Sequence, residues 1–205
     1  MNVLQSRRLF LAGIGALSLA LAGCDKTSAF ADGSVVELNG ADLSGSDFGR
    51  DFRLTDPDGK ERRLADFQGK AVMVFFGFTQ CPDICPTALF RATEVKRLLG
   101  ADADAFQVIF ITIDPERDTP EVLRQYVSAF DPSFLGLYGD THRTHETATE
   151  FKVFYQKVPT GGSYTMDHTT VSFVFDAEGK LRLALGHGLS AQECADDIRH
   201  VIALT

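Results

Sequence analysis

The sequence predicts an α/β domain built on a central, partly parallel sheet, and three observations lead there. Ala71 to Phe78 (AVMVFFGF), Phe106 to Ile113 (FQVIFITI) and Val171 to Phe175 (VSFVF) are near-continuous apolar runs of strand length, the pattern of strands covered on both faces. A helix-like segment with Leu89, Val95, Leu98 and Leu99 on one face, and Gly100 as its stop, joins the first two runs. Strand, helix and strand at this spacing make a βαβ unit with a right-handed crossover, hence a parallel pair. The third run is followed by the turn Asp176-Ala177-Glu178-Gly179 and by Leu181 to Leu185, which makes a hairpin.

The 205 residues suffice for one domain with a full core behind a leader. Met1 to Gly23 reads as an export signal, because its apolar run from Leu9 is too short to span a bilayer comfortably. Ser6-Arg7-Arg8-Leu9-Phe10-Leu11 resembles a twin-arginine export signal, with ordinary secretion as the alternative. Leu21-Ala22-Gly23-Cys24 resembles a bacterial lipobox, which makes Cys24 a lipidation site and the mature N-terminus. Asp25 resembles the signal that keeps such lipoproteins in the inner membrane. Residues 24 to 47 are small, polar and glycine-bearing, and read as a flexible membrane tether, with the folded domain expected over 48 to 205.

Inside the domain, Phe52 and Leu54 alternate ahead of the turn Asp56-Pro57-Asp58-Gly59, which predicts an N-terminal β-hairpin. Leu64 to Gly69 fits a short helical turn that delivers the chain to Ala71. After the second strand, Asp114-Pro115-Glu116-Arg117-Asp118 forms a loop whose ions pair with one another near the strand end where ligands gather. Thr119-Pro120 caps a helix from Glu121 to Phe130, a short strand follows at Leu135 to Tyr138, and Thr141 to Val153 is an inserted helix. His142 and His145 on that helix read as a solvated face, and Gly161-Gly162 as a loop that can move. The last helix opens on the capping box Ser190 to Glu193, and its apolar stripe of Cys194, Ile198, Val201 and Ile202 makes Cys194 a core residue. His187 and His200 are expected at the surface. The order of elements is that of a thioredoxin-like fold with an added N-terminal hairpin and a helical insertion.

Chemistry is expected at Cys81 and Cys85, in CPDICP at the junction of the first strand and its helix. Pro82 and Pro86 bias the residues before them away from helical backbone, so the two thiols bracket one tight turn at the helix start. Unpaired N–H groups and the positive end of the helix dipole there favour thiolate, which binds soft metals and exchanges disulfides. One such pair is too few for a structural zinc site. Removing the leader with its Arg7 and Arg8 takes the net charge from −8 to −10, which argues against a nucleic-acid partner and against electrostatic adhesion to anionic lipid.

FFGFTQCPDICPTAL, ITIDPERDTPE from Ile111 and YTMDHTTVSFVFDAEGK from Tyr164 together resemble the Sco/SenC family of copper-binding cytochrome oxidase assembly proteins. The likeness runs from about Phe48 to the C-terminus. It implies one copper ion, Cu(I) or Cu(II), held by Cys81, Cys85 and His168. The loop that precedes Val171 is expected to face the two cysteines, and two thiolates with one imidazole make a soft set suited to Cu(I). Asp83 and Asp167 are candidates for orienting His168 or for hydrogen-bonding the exposed edge of the site. The resemblance further implies a lipid-anchored copper chaperone on the periplasmic side of the bacterial inner membrane. Its partners would be the copper-accepting subunit of cytochrome c oxidase and a periplasmic copper donor or thiol reductant. Other readings are a thiol-disulfide reductase in which Cys81 and Cys85 cycle through a disulfide, a thiol peroxidase, and a redox or copper sensor.

Overall fold

The computed structural model describes residues 27–29 and 35–204, so the export signal, Cys24 and its lipobox lie outside the described residues. Strand β1 (Thr27–Ala29) pairs antiparallel with β2 (Val35–Glu37). The main body then runs through β3 (Ala41–Asp42), the hairpin β4 (Leu54–Thr55) and β5 (Glu61–Arg62), and a 3-10 turn at Leu64–Phe67. Next come β6 (Ala71–Gly77), α1 (Ile84–Leu99), β7 (Phe106–Thr112), α2 (Pro120–Ser128), β8 (Leu135–Leu137) and α3 (Thr141–Glu150). The chain closes with β9 (Tyr155–Thr160), β10 (Ser163–His168), β11 (Ser172–Phe175), β12 (Leu181–Leu185) and α4 (Ala191–Ile202). Among the described residues no helix is long and apolar enough to cross a membrane.

Six strands form the central sheet in the order β3-β12-β11-β6-β7-β8. β6, β7 and β8 are parallel, and β11, β12 and β3 are added antiparallel. The fold is thus α/β and thioredoxin-like, and the apolar runs are explained by double coverage. Val72, Val74 and Phe76 point to one face with Phe173 and Phe175, where Phe151, just past α3, meets Phe76, Phe173 and Phe175 edge-on. Met73, Phe75 and Gly77 point to the other, where Phe110 meets Tyr126 of α2 at a tilt and the first turn of α1 sits. Both helix starts read from the sequence are present, with the Thr119 side chain accepting from the Val122 N–H and Ser190 and Glu193 closing a reciprocal box.

Two expectations are corrected. The tether does not extend to residue 47, because Leu38 is only 2% exposed and β3 adds to the sheet edge, so the folded body begins about ten residues earlier. The driving contact is polar: the fully buried Asp197 accepts from the Asn39 and Gly40 backbone N–H groups at 3.0 and 2.7 Å and from Asn39 Nδ2 at 3.0 Å. Such a carboxylate, satisfied by three donors, latches the start of the domain onto α4. Replacing Asp197 with Ala leaves those donors without an acceptor, and thermal or urea unfolding should show a loss of about 3 kcal/mol.

The second correction concerns Gly161-Gly162, which is a tight turn between β9 and β10 and not a free loop. The two glycines have φ of +50° and +117°, as a two-residue hairpin turn requires. Pro159 does not disrupt the ladder. Thr160 and Ser163 flank the turn as the hydrogen-bonded pair, so Pro159 opposite Tyr164 falls at a position where no cross-strand N–H is needed.

Candidate metal centre

α1 begins at Ile84 with Asp83 as its N-cap, so Cys85 lies in the first helical turn and Cys81 in the turn before it. The Cys85 N–H points at Cys81 Sγ, 3.4 Å away, and both thiols are free. Cys81 is half-buried, whereas Cys85 is fully enclosed beneath the end of β6. That burial reverses the expected effect of the helix start: desolvation pushes the Cys85 thiol far above its usual range, outweighing the hydrogen bond from the Phe78 backbone. A helix dipole contributes only about 0.3–1 kcal/mol, less than the desolvation of a fully enclosed thiol, so burial wins.

His168 closes β10, opposite Tyr155, so it is the last residue of a strand where a loop was expected. Its Nδ1 lies 2.8 Å from the Thr169 carbonyl, which can only accept, so Nδ1 carries the proton and Nε2 keeps a lone pair. Nε2 faces Cys85 Sγ at 3.8 Å. The ring is wedged edge-on between Phe75 and Phe78, with centroids 6.2 and 6.0 Å away. Burial lowers its pKa, against smaller opposing effects of the Thr169 carbonyl and Asp167, which keeps the imidazole neutral and able to ligate. Among the described residues no three donors already stand at ligating separations. The donor set nevertheless suits a soft ion, since Cys85 and His168 face each other and Cys81 Sγ lies one turn away.

Asp83 and Asp167 do not orient His168. Asp83 is exposed and its carboxylate meets Thr87 Oγ1 at 3.5 Å. Asp167 is exposed and projects from the face of β10 opposite to its neighbour, so the imidazole is held by the Thr169 carbonyl instead. The groups that tie the two halves of the site together come from the Asp114–Asp118 loop. Arg117 Nη1 donates to Gln80 Oε1 at 3.1 Å and to the Tyr164 carbonyl at 2.8 Å, its Nε donates to the buried Asp114, and its guanidinium lies 3.7 Å from the Tyr164 ring centroid. One side chain thereby joins the residue before Cys81 to the strand that bears His168. Tyr164 Oη donates to Asp114 at 2.8 Å, and Glu116 pairs with Lys157 of β9. Asp118 is buried and accepts from the Thr79 N–H and from the hydroxyls of Thr79 and Thr112, fixing the strand end that leads to Cys81.

Tyr164, Thr79 and Gly77 stand inside the quoted motifs, but their individual roles arise from contacts across the fold and are not legible from the sequence alone. The remaining candidates stay apart from the centre. His142 is exposed and pairs with Glu146, and His145 faces Tyr155. Cys194 is buried in α4, where desolvation pushes its thiol up to about 11. His187 and His200 are half-buried, each with an enclosed Nδ1, and not fully on the surface.

The family model described as SCO1/SenC matches residues 40–203. A SCO2-like protein of Rickettsia felis is 40% identical over 135 residues, covering 64% of this chain and 66% of that protein, so the match spans about two thirds of the relative's length. Among solved structures, copper-bound ScoI of Bradyrhizobium japonicum is 42% identical with a TM-score of 0.69, over 75% of this chain and 99% of that one. Copper-bound yeast Sco1 is 33% identical with a TM-score of 0.69, over 76% and 88%. With four-fifths of its length matched in this way and a thioredoxin-like body underneath, the chain belongs to the SCO1/SenC family.

Proposed function

We propose that this protein is a lipid-anchored copper chaperone on the periplasmic side of a bacterial inner membrane. It binds one copper ion through Cys81, Cys85 and His168 and helps to metallate the copper-accepting subunit of cytochrome c oxidase. The observation that carries the reading is the aim of His168: its Nε2 lone pair faces Cys85 Sγ at 3.8 Å while Nδ1–H is spent on the Thr169 carbonyl. An ordinary loop histidine has no need of that arrangement. Relatives support copper as the cargo, since the Bradyrhizobium and yeast proteins have been solved with copper bound. The lipobox at Cys24 supports the anchor.

Copper arriving at the half-buried Cys81 displaces thiol protons and is then within reach of Cys85 and the neutral imidazole. A site of three ligands leaves room for an acceptor's thiolate to join before a donor's leaves. The web from Arg117 to Gln80, Asp114 and Tyr164 holds the cysteine turn and the histidine strand in register while this happens.

A reductase role is favoured by a separate observation, the contact of the Cys85 N–H with Cys81 Sγ, which places both free thiols on one turn. The two readings part at His168. In an anaerobic Cu(I) titration of the exported domain, wild type should bind near one equivalent, and His168→Ala should weaken binding about tenfold or more. A parallel assay follows reduction of a disulfide in an acceptor peptide. If His168→Ala keeps wild-type copper affinity while Cys85→Ser alone abolishes acceptor maturation, the chaperone reading fails and the reductase stands.

A further inference from the structure

The polarity of the sheet places the metal centre and the start of the domain at the same end. The parallel strands β6 and β7 run toward that end, with Gly77 opposite Thr112, and deliver Cys81 and the Asp114–Asp118 loop there. β11 starts there, since Ser172 pairs with Phe75, and β12 finishes there, since Leu185 pairs with Ser172. β3 runs antiparallel to β12 with Ala41 opposite Ala184, so Asn39 and Gly40 also lie at the metal end. Asp197 pins both residues, so the point at which the N-terminal segment leaves the body is fixed.

The remaining distance to Cys24 is short. Thr27 pairs with Glu37, two residues before Asn39, and Cys24 precedes Thr27 by three residues. Fully extended, these pieces and one inter-strand step keep Cys24 within about 23 Å of Asn39. A body of this size is about 40 Å across, so a tether attached at one end and shorter than the body keeps that end nearer the lipid.

We infer that the metal-bearing end of the domain is turned toward the membrane, and that it serves an acceptor held at the same bilayer with its receiving thiolates close to the lipid surface. The inference rests on the lipidation of Cys24 in the proposed function. A freely diffusing partner would gain nothing from a site facing the bilayer, whereas two proteins anchored in one membrane meet through their membrane-proximal ends.

The test uses the full lipidated chain in neutral phosphatidylcholine vesicles that carry a small fraction of gadolinium-chelating lipid. A nitroxide side chain is introduced by chemistry that spares thiols, in one sample at Gly188 and in another at Asp102. Gly188 lies in the loop after β12 that Arg91 holds at the metal end, and a Cβ there meets no atom within 4 Å. Asp102 is exposed in the turn before β7, at the opposite end of the sheet. Copper binding by each labelled chain verifies the fold. Relaxation enhancement by the lipid-borne metal should be about tenfold or more greater at Gly188 than at Asp102, given the steep distance dependence across a body of this width. Equal enhancement, or a larger one at Asp102, overturns the orientation while leaving the anchor intact. Failure of the unmutated chain to sediment with vesicles, or unchanged sedimentation of Cys24→Ala, overturns the anchor and the inference with it.

Discussion

Gly77→Ala is expected to cripple the proposed copper centre without replacing any of its ligands. A Cβ at this position would stand 2.7 Å from Cys85 Sγ and 2.8 Å from Phe110 Cε2, closer than carbon atoms approach without displacement. The strand cannot yield, because Gly77 is the last rung of the β6–β7 ladder and its carbonyl accepts the Ile113 N–H at 2.8 Å. The Phe110 ring is wholly buried against Phe75 and Tyr126, so the sulfur has to move. Overpacking of this kind costs about 1–3 kcal/mol of stability. The larger effect is on Cu(I) affinity, which should fall about tenfold or more as Cys85 leaves the line to His168 Nε2. Gly136→Ala supplies the control: it lies on β8, two strands from β6, and the atoms nearest its Cβ all belong to Leu123, with Cγ at 2.5 Å, so it should lower stability and leave copper binding unchanged. If Gly77→Ala loses stability like the control yet binds copper as wild type does, the close approach is mere packing and has no bearing on the metal.

The contrast between Gly77 and Cys85 shows what a sequence can carry. β6, β7 and β11 were legible because strands covered on both faces write their burial into a near-continuous apolar run, β12 because its leucines alternate after a turn signal, and α4 because its capping box is local chemistry. The two cysteines between prolines announce themselves for the same reason. By contrast, β9 is exposed along most of its length and contains Pro159, which only the register makes tolerable, and β10 fully buries Met166 alone, so neither strand writes an apolar run into the sequence. β3 was hidden because a buried carboxylate 158 residues away in the sequence, and not any apolar pattern, holds it in place. The thiol chemistry was misjudged on magnitude: proximity to a helix start is visible in the sequence, but the depth at which Cys85 sits beneath Gly77 is not. Arg117 lay in a motif that reads as a loop of paired ions, and those pairs exist, yet its bonds to Gln80 and to the Tyr164 carbonyl depend on a hairpin that no local pattern foretells.

That depth leads to the second large effect, on the pH dependence of copper uptake. Burial raises the Cys85 thiol well above its ordinary value, so without metal it is protonated throughout the physiological range. In the proposed ligation copper takes the thiolate, so each bound ion must expel the Cys85 proton. Below the thiol's own pKa, loss of one proton on binding makes the association constant rise tenfold per pH unit. From pH 6 to pH 8 the affinity should therefore grow at least about a hundredfold from Cys85 alone. His168 works in the opposite sense. Its pKa is lowered by burial, so the imidazole is already neutral where a free histidine would still be half-protonated, and proton competition at Nε2 begins only at more acidic pH. The profile should thus be set by thiol protons over pH 6 to 8, with no added bend near the ordinary histidine value. Competition titrations with a Cu(I) chelator of known pH behaviour measure the slope, and calorimetry in buffers of different ionisation heat counts the protons directly. An affinity that varies less than about threefold over that interval would mean that Cys85 is ionised before the metal arrives, and that the helix start governs the thiol after all. For the proposed chaperone the same steepness would serve release: an acceptor whose receiving thiols are less buried needs less proton work at a given pH, so copper would move downhill from the enclosed Cys85 to the more exposed site without any change of oxidation state.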